Sequence, residues 1–136
     1  GGLIAQGLYA KRPDLVRAMV LCDTAHRIGD EQLWNERIAA VAQGGIESLA
    51  DGIMQRWFTR EFPETHPNAY KGYRTMLSRQ PDAGYAATCA AIRDTDFTEL
   101  CAAIRVPTLP CIEQPDMLSD MIKAFFDGAG LWPQNG

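Results

Sequence analysis

The run Ala18-Met19-Val20-Leu21-Cys22 is apolar without interruption. It is short for a helix, and its centre is β-branched. Those features describe a buried strand of the kind found in parallel sheets. The flanking sequence fits that setting. Before it, Leu3, Ile4, Gly7 and Leu8 are apolar at helical spacing, and Pro13 stops the helix they predict. Gly1 and Gly2 at its start allow close backbone approach. After it, the polar stretch from Asp23 to Gly29 reads as a loop.

Beyond Gly29 the pattern is helical. Asp30 is placed to cap a helix running to about residue 43, with Leu33, Trp34, Arg37, Ile38 and Val41 at helical spacing. Gly44-Gly45 ends it. A second helix is expected over 46–58, with Leu49, Ile53, Met54 and Trp57 on one face. Phe62-Pro63 and His66-Pro67 bracket a loop. A third helix, over about 68–79, carries Tyr70, Tyr73, Met76 and Leu77. A fourth starts at Pro81 and carries Tyr85, Thr88, Cys89 and Ile92. Asp96-Phe97-Thr98-Glu99 resembles a capping box and opens a short helix ending near residue 104.

Val106-Pro107-Thr108-Leu109 begins like a second strand, but Pro110 follows at once and predicts a break after Leu109. Pro115 opens a last helix to about residue 127, and 128–136 is a polar, Gly-rich tail expected to fray. The expected organisation is therefore a core piece over 1–29, a helical domain over 30–104, a second core piece over 105–127 and the tail.

The chain has 136 residues, 46% hydrophobic and 22% charged, with a net charge of -4. That composition is globular, at a length suited to one domain of about 100–150 residues. No apolar run approaches the roughly 20 residues of a membrane span, and no signal-peptide pattern opens the chain. Mild acidity argues against nucleic acid as a partner. Cys22, Cys89, Cys101 and Cys111 are widely and irregularly spaced. They suggest neither a disulfide framework nor, with only two histidines, a zinc site. Buried free thiols in a reducing cytoplasm are the expectation.

Hydrolysis through a nucleophile needs Ser, Cys or Thr, a histidine in reach and a carboxylate behind it. Ser48, Ser78 and Ser119 all fall in or at the end of predicted helices, without a G-x-S-x-G turn. His26 lies in a loop with Asp23 and Asp30 nearby, but with no nucleophile beside it, and His66 precedes a proline in a polar loop. No Gly-rich phosphate loop and no acid/base pair of carboxylates is evident. Trp34 and Arg37 stand out because they lie one turn apart on one helix face. An indole can shape a pocket and a guanidinium can bind a carboxylate. The alternative is a core tryptophan beside a snorkelling arginine.

Longer stretches carry a resemblance. Gly1-Gly2-Leu3-Ile4-Ala5-Gln6-Gly7-Leu8 and Arg12-Pro13-Asp14-Leu15-Val16-Arg17-Ala18-Met19-Val20-Leu21 look like the helix and strand after the nucleophile elbow of an α/β hydrolase. Asp23-Thr24-Ala25, Trp34-Asn35-Glu36-Arg37-Ile38-Ala39-Ala40-Val41, Arg56-Trp57-Phe58 and Tyr73-Arg74-Thr75-Met76-Leu77 resemble the 3-oxoadipate enol-lactonases. So do Gly84-Tyr85-Ala86-Ala87-Thr88-Cys89-Ala90-Ala91-Ile92-Arg93-Asp94 and Pro110-Cys111-Ile112-Glu113-Gln114-Pro115. The resemblance runs over nearly all of 1–127. It implies an α/β-hydrolase relative that is itself mostly α-helical, a helical cap with remnants of a parallel-sheet core. Such enzymes hydrolyse an enol-lactone to 3-oxoadipate with a Ser-Asp-His triad and no cofactor.

The sequence departs from the family where the triad lies. The family serine stands just before the pair that here is Gly1-Gly2. Its aspartate and histidine belong to a segment that would fall between Leu109 and Pro110. No catalytic residue and no metal ligand is therefore carried over, while Trp34 and Arg37 become pocket-facing, substrate-binding candidates for a small lactone or dicarboxylate. Three readings follow: an incomplete lactonase sequence, inactive by itself; a truncated, non-catalytic structural or interaction module built on the cap; and a cap that binds a dicarboxylate through Arg37. Val20 and Leu21 would have no neighbours on one side, leaving an edge strand and exposed apolar faces, which a homo-oligomer would cover.

Overall fold

The computed structural model describes residues 1–111 and 115–131. The chain divides into two compact units: Gly1–Ile28 with Thr95–Gly136, and Gly29–Asp94.

In the first unit, helix α1 (Gly2–Lys11) leads through a short 3-10 turn at Pro13–Leu15 into strand β1 (Met19–Cys22). Gly2 is required at the start of α1, since a Cβ there would overlap the Thr24 side chain. Strand β2 (Thr108–Cys111) pairs with β1 in parallel, aligning Met19 with Thr108 and Cys22 with Cys111. The expected break after Leu109 does not occur: Pro110 is part of β2, opposite Leu21. The ladder explains why. The Met19 amide donates to the Pro107 carbonyl at 2.9 Å and the Asp23 amide to the Cys111 carbonyl at 3.0 Å. Odd-numbered residues of β2 thus face β1, and the missing N–H of Pro110 lies on the open edge, where no bond is lost.

Helix α7 (Thr98–Ala103) belongs to this unit, and not with residues 30–94 as the expected boundary at 104 had it. The side chain of Gln6, 1% exposed, is the reason. Its amide nitrogen donates to the Gly2 and Ala25 carbonyls at 3.2 and 3.1 Å, and its oxygen accepts from the Cys101 thiol at 3.1 Å. The Phe97 amide adds a bond to the His26 carbonyl, and the Arg105 amide one to the Tyr9 hydroxyl. The capping box expected at the start of α7 is also different. Asp96 accepts from the amide and hydroxyl of Thr98, two residues on, at 2.9 and 2.6 Å, a local turn bond that leaves Glu99 out of the cap.

Helix α8 (Pro115–Gly128) starts where Pro115 predicted. Its end is not frayed over 128–131. Leu131 N–H bonds the Phe126 carbonyl, Gly130 N–H bonds the Asp127 carbonyl, and Gly130 has φ +63°. This is a Schellman termination, which needs the left-handed residue that glycine supplies. The rest of the tail, 132–136, lies outside the described residues, as do Ile112, Glu113 and Gln114.

The second unit holds helices α2 (Glu31–Gly44), α3 (Glu47–Trp57), α4 (Phe62–Thr65), α5 (Pro67–Ser78) and α6 (Asp82–Arg93). Asp30 caps α2 as its sequence predicts, accepting from Leu33 N–H at 2.8 Å. Gly45, at φ +66°, turns the chain into α3. The core is Ile46, Ala50, Ile53, Met54 and Leu77. Trp57, expected on the buried face of α3, is instead 52% exposed, because it is the last residue of the helix. The segment read as a loop at Phe62–Thr65 is a helical turn. Pro63 suits its first turn, and Phe62 stacks on the His66 ring at 4.9 Å.

Candidate functional site

The site lies on α2 and α6, within the second unit. These helices run antiparallel and are clipped at both ends. Near the start of α2, Arg93 Nη1 donates to Asn35 Oδ1 at 2.6 Å while its Nε holds Asp94 at 2.7 Å. Beyond the end of α2, Asp82 Oδ1 accepts from Ile46 N–H at 2.8 Å. The two clips fix which turn of α6 faces which turn of α2.

Between them, Trp34 is buried and Arg37 half-buried. The Arg37 guanidinium carbon sits over the indole, 5.1 Å from the ring centroid. Gly29 lets the indole lie there, since a Cβ at that position would come within 2.9 Å of Trp34 Nε1. The packing is that of a core tryptophan beside a snorkelling arginine: Trp34 is packed inside, and Arg37 lies along it without leaving the surface.

Tyr85 and Cys89, one turn apart on α6, complete the group. Burial pushes the Tyr85 hydroxyl above its ordinary pKa, opposed by the nearby Arg37 charge. Burial likewise raises the Cys89 thiol, again opposed by Arg37. Both therefore stay protonated at neutral pH and are donors beside the guanidinium. Among the described residues no carboxylate lies within 4.0 Å of Arg37. The arrangement is a cation, a hydroxyl and a thiol beside an aromatic ring, and a guanidinium so placed can bind a carboxylate. The sequence places Tyr85 and Cys89 on one helix but does not join them to Trp34 and Arg37. Their i, i+4 spacing was the available signal.

The nucleophile candidates do not converge. Ser48 is in α3 and its hydroxyl donates to the Gly45 carbonyl at 2.7 Å. Ser78 ends α5 and Ser119 lies in α8. His66 Nδ1 meets the Thr65 hydroxyl at 2.9 Å, and His26 is exposed in the loop after β1. Among the described residues no serine or cysteine hydrogen-bonds a histidine, and no cluster of His, Cys, Asp or Glu could hold a metal ion. All four cysteines are free, although Cys22 is exposed where a buried thiol was expected, because it ends β1. Among the described residues no helix is long and apolar enough to cross a membrane.

Known proteins resemble this chain closely enough to extend the reading. No protein-family model matches it. It is 30% identical over 109 residues to 3-oxoadipate enol-lactonase 2 of Acinetobacter baylyi, and 31% identical over 109 residues to enol-lactonase 1 of that organism. Each match covers 80% of this chain but only 41% of the relative. A crystal structure of the enol-lactonase from Burkholderia xenovorans LB400 superposes with a TM-score of 0.79 at 24% identity, over 93% of this chain and 62% of that one. A hydrolase from Pseudomonas aeruginosa PA01 gives 0.74 at 29% identity, over 96% and 60%. The chain thus spans less than half the length of the curated relatives it matches. The parallel β1–β2 pair, the helical unit beside it in sequence and these likenesses agree: the chain is an α/β-hydrolase relative of the 3-oxoadipate enol-lactonases.

Proposed function

We propose that this chain carries the substrate-recognition cap of an enol-lactone hydrolase, with residues 29–94 as the cap and Trp34 and Arg37 as its anchor for a carboxylate. The lactone or the dicarboxylate released from it is the ligand class. The observation that supports this most directly is the Arg37 guanidinium lying 5.1 Å over the Trp34 ring with no carboxylate partner among the described residues. A pre-oriented guanidinium needs little further ordering to take a carboxylate in fork geometry. Tyr85 and Cys89 add neutral polar groups close to the Arg37 charge. Hydrolysis itself is not assigned to these residues, since the nucleophile candidates lie apart. Four free thiols favour a reducing, cytoplasmic setting.

Calorimetric titration with 3-oxoadipate tests the reading. Arg37→Ala removes a charge-assisted bond of about 1.5–3 kcal/mol, so affinity should fall roughly tenfold to a hundredfold, with an unchanged far-UV spectrum. Equal affinity in the variant would sink it. In parallel, enol-lactone turnover by the chain alone should stay at the uncatalysed rate. Turnover abolished by a Ser48, Ser78 or Ser119 change would show that a nucleophile has been overlooked.

A second reading, a non-catalytic structural or interaction module, draws on the fact that residues 29–94 hold a core of their own at Ile46, Ala50, Ile53, Met54 and Leu77. It predicts that the chain binds 3-oxoadipate no better than Arg37→Ala does.

A further inference from the structure

We propose that Cys22 and Cys111 are a redox-active dithiol that closes to a disulfide between β1 and β2. The two residues are register partners in the parallel pair. Partners on neighbouring strands stand about 4.7–4.9 Å apart with their side chains on the same face of the sheet. That separation falls within the roughly 4.4–6.8 Å that a disulfide spans between Cα atoms. Both thiols are free. They differ in access: Cys22 is exposed at the end of β1, whereas Cys111 is buried, its Sγ directed to the Leu109 carbonyl at 4.0 Å. Burial, followed by the neighbouring Cys22, keeps the Cys111 thiol protonated, consistent with two sulfurs in mutual contact. Asp23, at φ +47°, bonds the Cys111 carbonyl through its amide and holds the strand ends level.

The asymmetry sets the order of events with a peroxide as oxidant. The exposed Cys22 thiolate attacks a peroxide oxygen, forming an S–O bond as the O–O bond breaks and hydroxide or alkoxide leaves. The Cys111 sulfur then attacks the Cys22 sulfur, forming S–S as the S–O bond breaks, and the Cys111 proton passes to the departing hydroxide, which leaves as water. The two thiols are oxidised by two electrons and the peroxide is reduced by two. Cys89 lies in the other unit. Cys101 already donates to Gln6, and nothing pairs either of them with a second thiol.

Treating the full chain with stoichiometric hydrogen peroxide, then alkylating and digesting it without reductant, tests this. The expected result is a fall from four free thiols to two, one linked peptide pair carrying Cys22 and Cys111, and recovery of all four on adding dithiothreitol. A Cys111→Ala variant should stop at a sulfenic acid on Cys22 that dimedone captures, and phenylarsine oxide should bridge the native pair but not the variant. Linkage through Cys89 or Cys101, a chain-to-chain bond in place of the internal one, or oxidation of Cys22 to the sulfinic acid with Cys111 untouched would each overturn the proposal. The native chain gives the answer even if the variant does not fold.

Discussion

At the scale of single residues, a few side chains do work that composition does not reveal. Arg37 is one. Stacked on Trp34 at 5.1 Å, it gains a cation–π contact of about 0.5–1 kcal/mol, enough to orient the fork and too little to satisfy its charge. Asp82 is another. It opens α6 and accepts from the Ile46 amide, which is buried behind the α2–α3 turn. Asp82→Ala should leave that N–H without a partner, at a cost of about 1–3 kcal/mol. Urea denaturation of the variant should show a lower midpoint with an unchanged slope; an unaltered midpoint would mean that solvent already reaches Ile46. Gln6 plays the same part in the first unit, holding α1, the loop after β1 and α7 through three bonds.

At the scale of elements, ends matter as much as middles. α8 closes on Gly130 at φ +63°. Gly130→Ala forces a Cβ into the left-handed region, so a loss of about 1 kcal/mol is expected, read as a lower thermal midpoint. An unshifted midpoint would indicate that the termination is dispensable. β2 shows a different device. Its Pro110 points its nitrogen at the open edge and so offers no donor to a second strand. Pro110→Val keeps the β1 ladder and restores that donor. The variant should sediment with a concentration-dependent heavier species where the parent chain shows less of it, while the secondary structure stays constant. Identical sedimentation would place the aggregation control elsewhere.

At the scale of the whole molecule, each unit has its own account. Residues 29–94 enclose a small apolar core of which Met54 and Ala50 are the fully buried centre. The other unit carries a two-stranded sheet. Beside β1 is a groove of about 470 Å³ lined by Leu8, Leu15, Val20, Phe126 and Leu131, the exposed apolar surface that a buried-type strand with a neighbour on only one side predicts. Charge holds the surface together in one direction of pH. Asp14 beside Arg12, Glu47 beside the Ser78 hydroxyl and Arg74, Asp94 beside Arg93, and Asp96 beside Thr98 all sit below the ordinary carboxylate range. Groups with depressed folded pKa values add stability above the unfolded value and lose it as pH falls through the folded one. Thermal midpoints should therefore drop from about pH 7 to about pH 3, and a flat profile would show that these pairs contribute nothing. What the sequence by itself determined was periodic: β1, α1, α2, α3, α5, α6 and α8, the Asp30 cap and the helix face shared by Trp34 and Arg37 all follow from local spacing and capping chemistry. What only the tertiary structure decided was partnership. Pro110 joined a strand because its nitrogen faced outward, α7 docked on Gln6, and Tyr85 and Cys89 met Arg37 because two distant clips set the register of α2 against α6. Such contacts depend on which residues, far apart in the chain, share a face, and no local pattern encodes that.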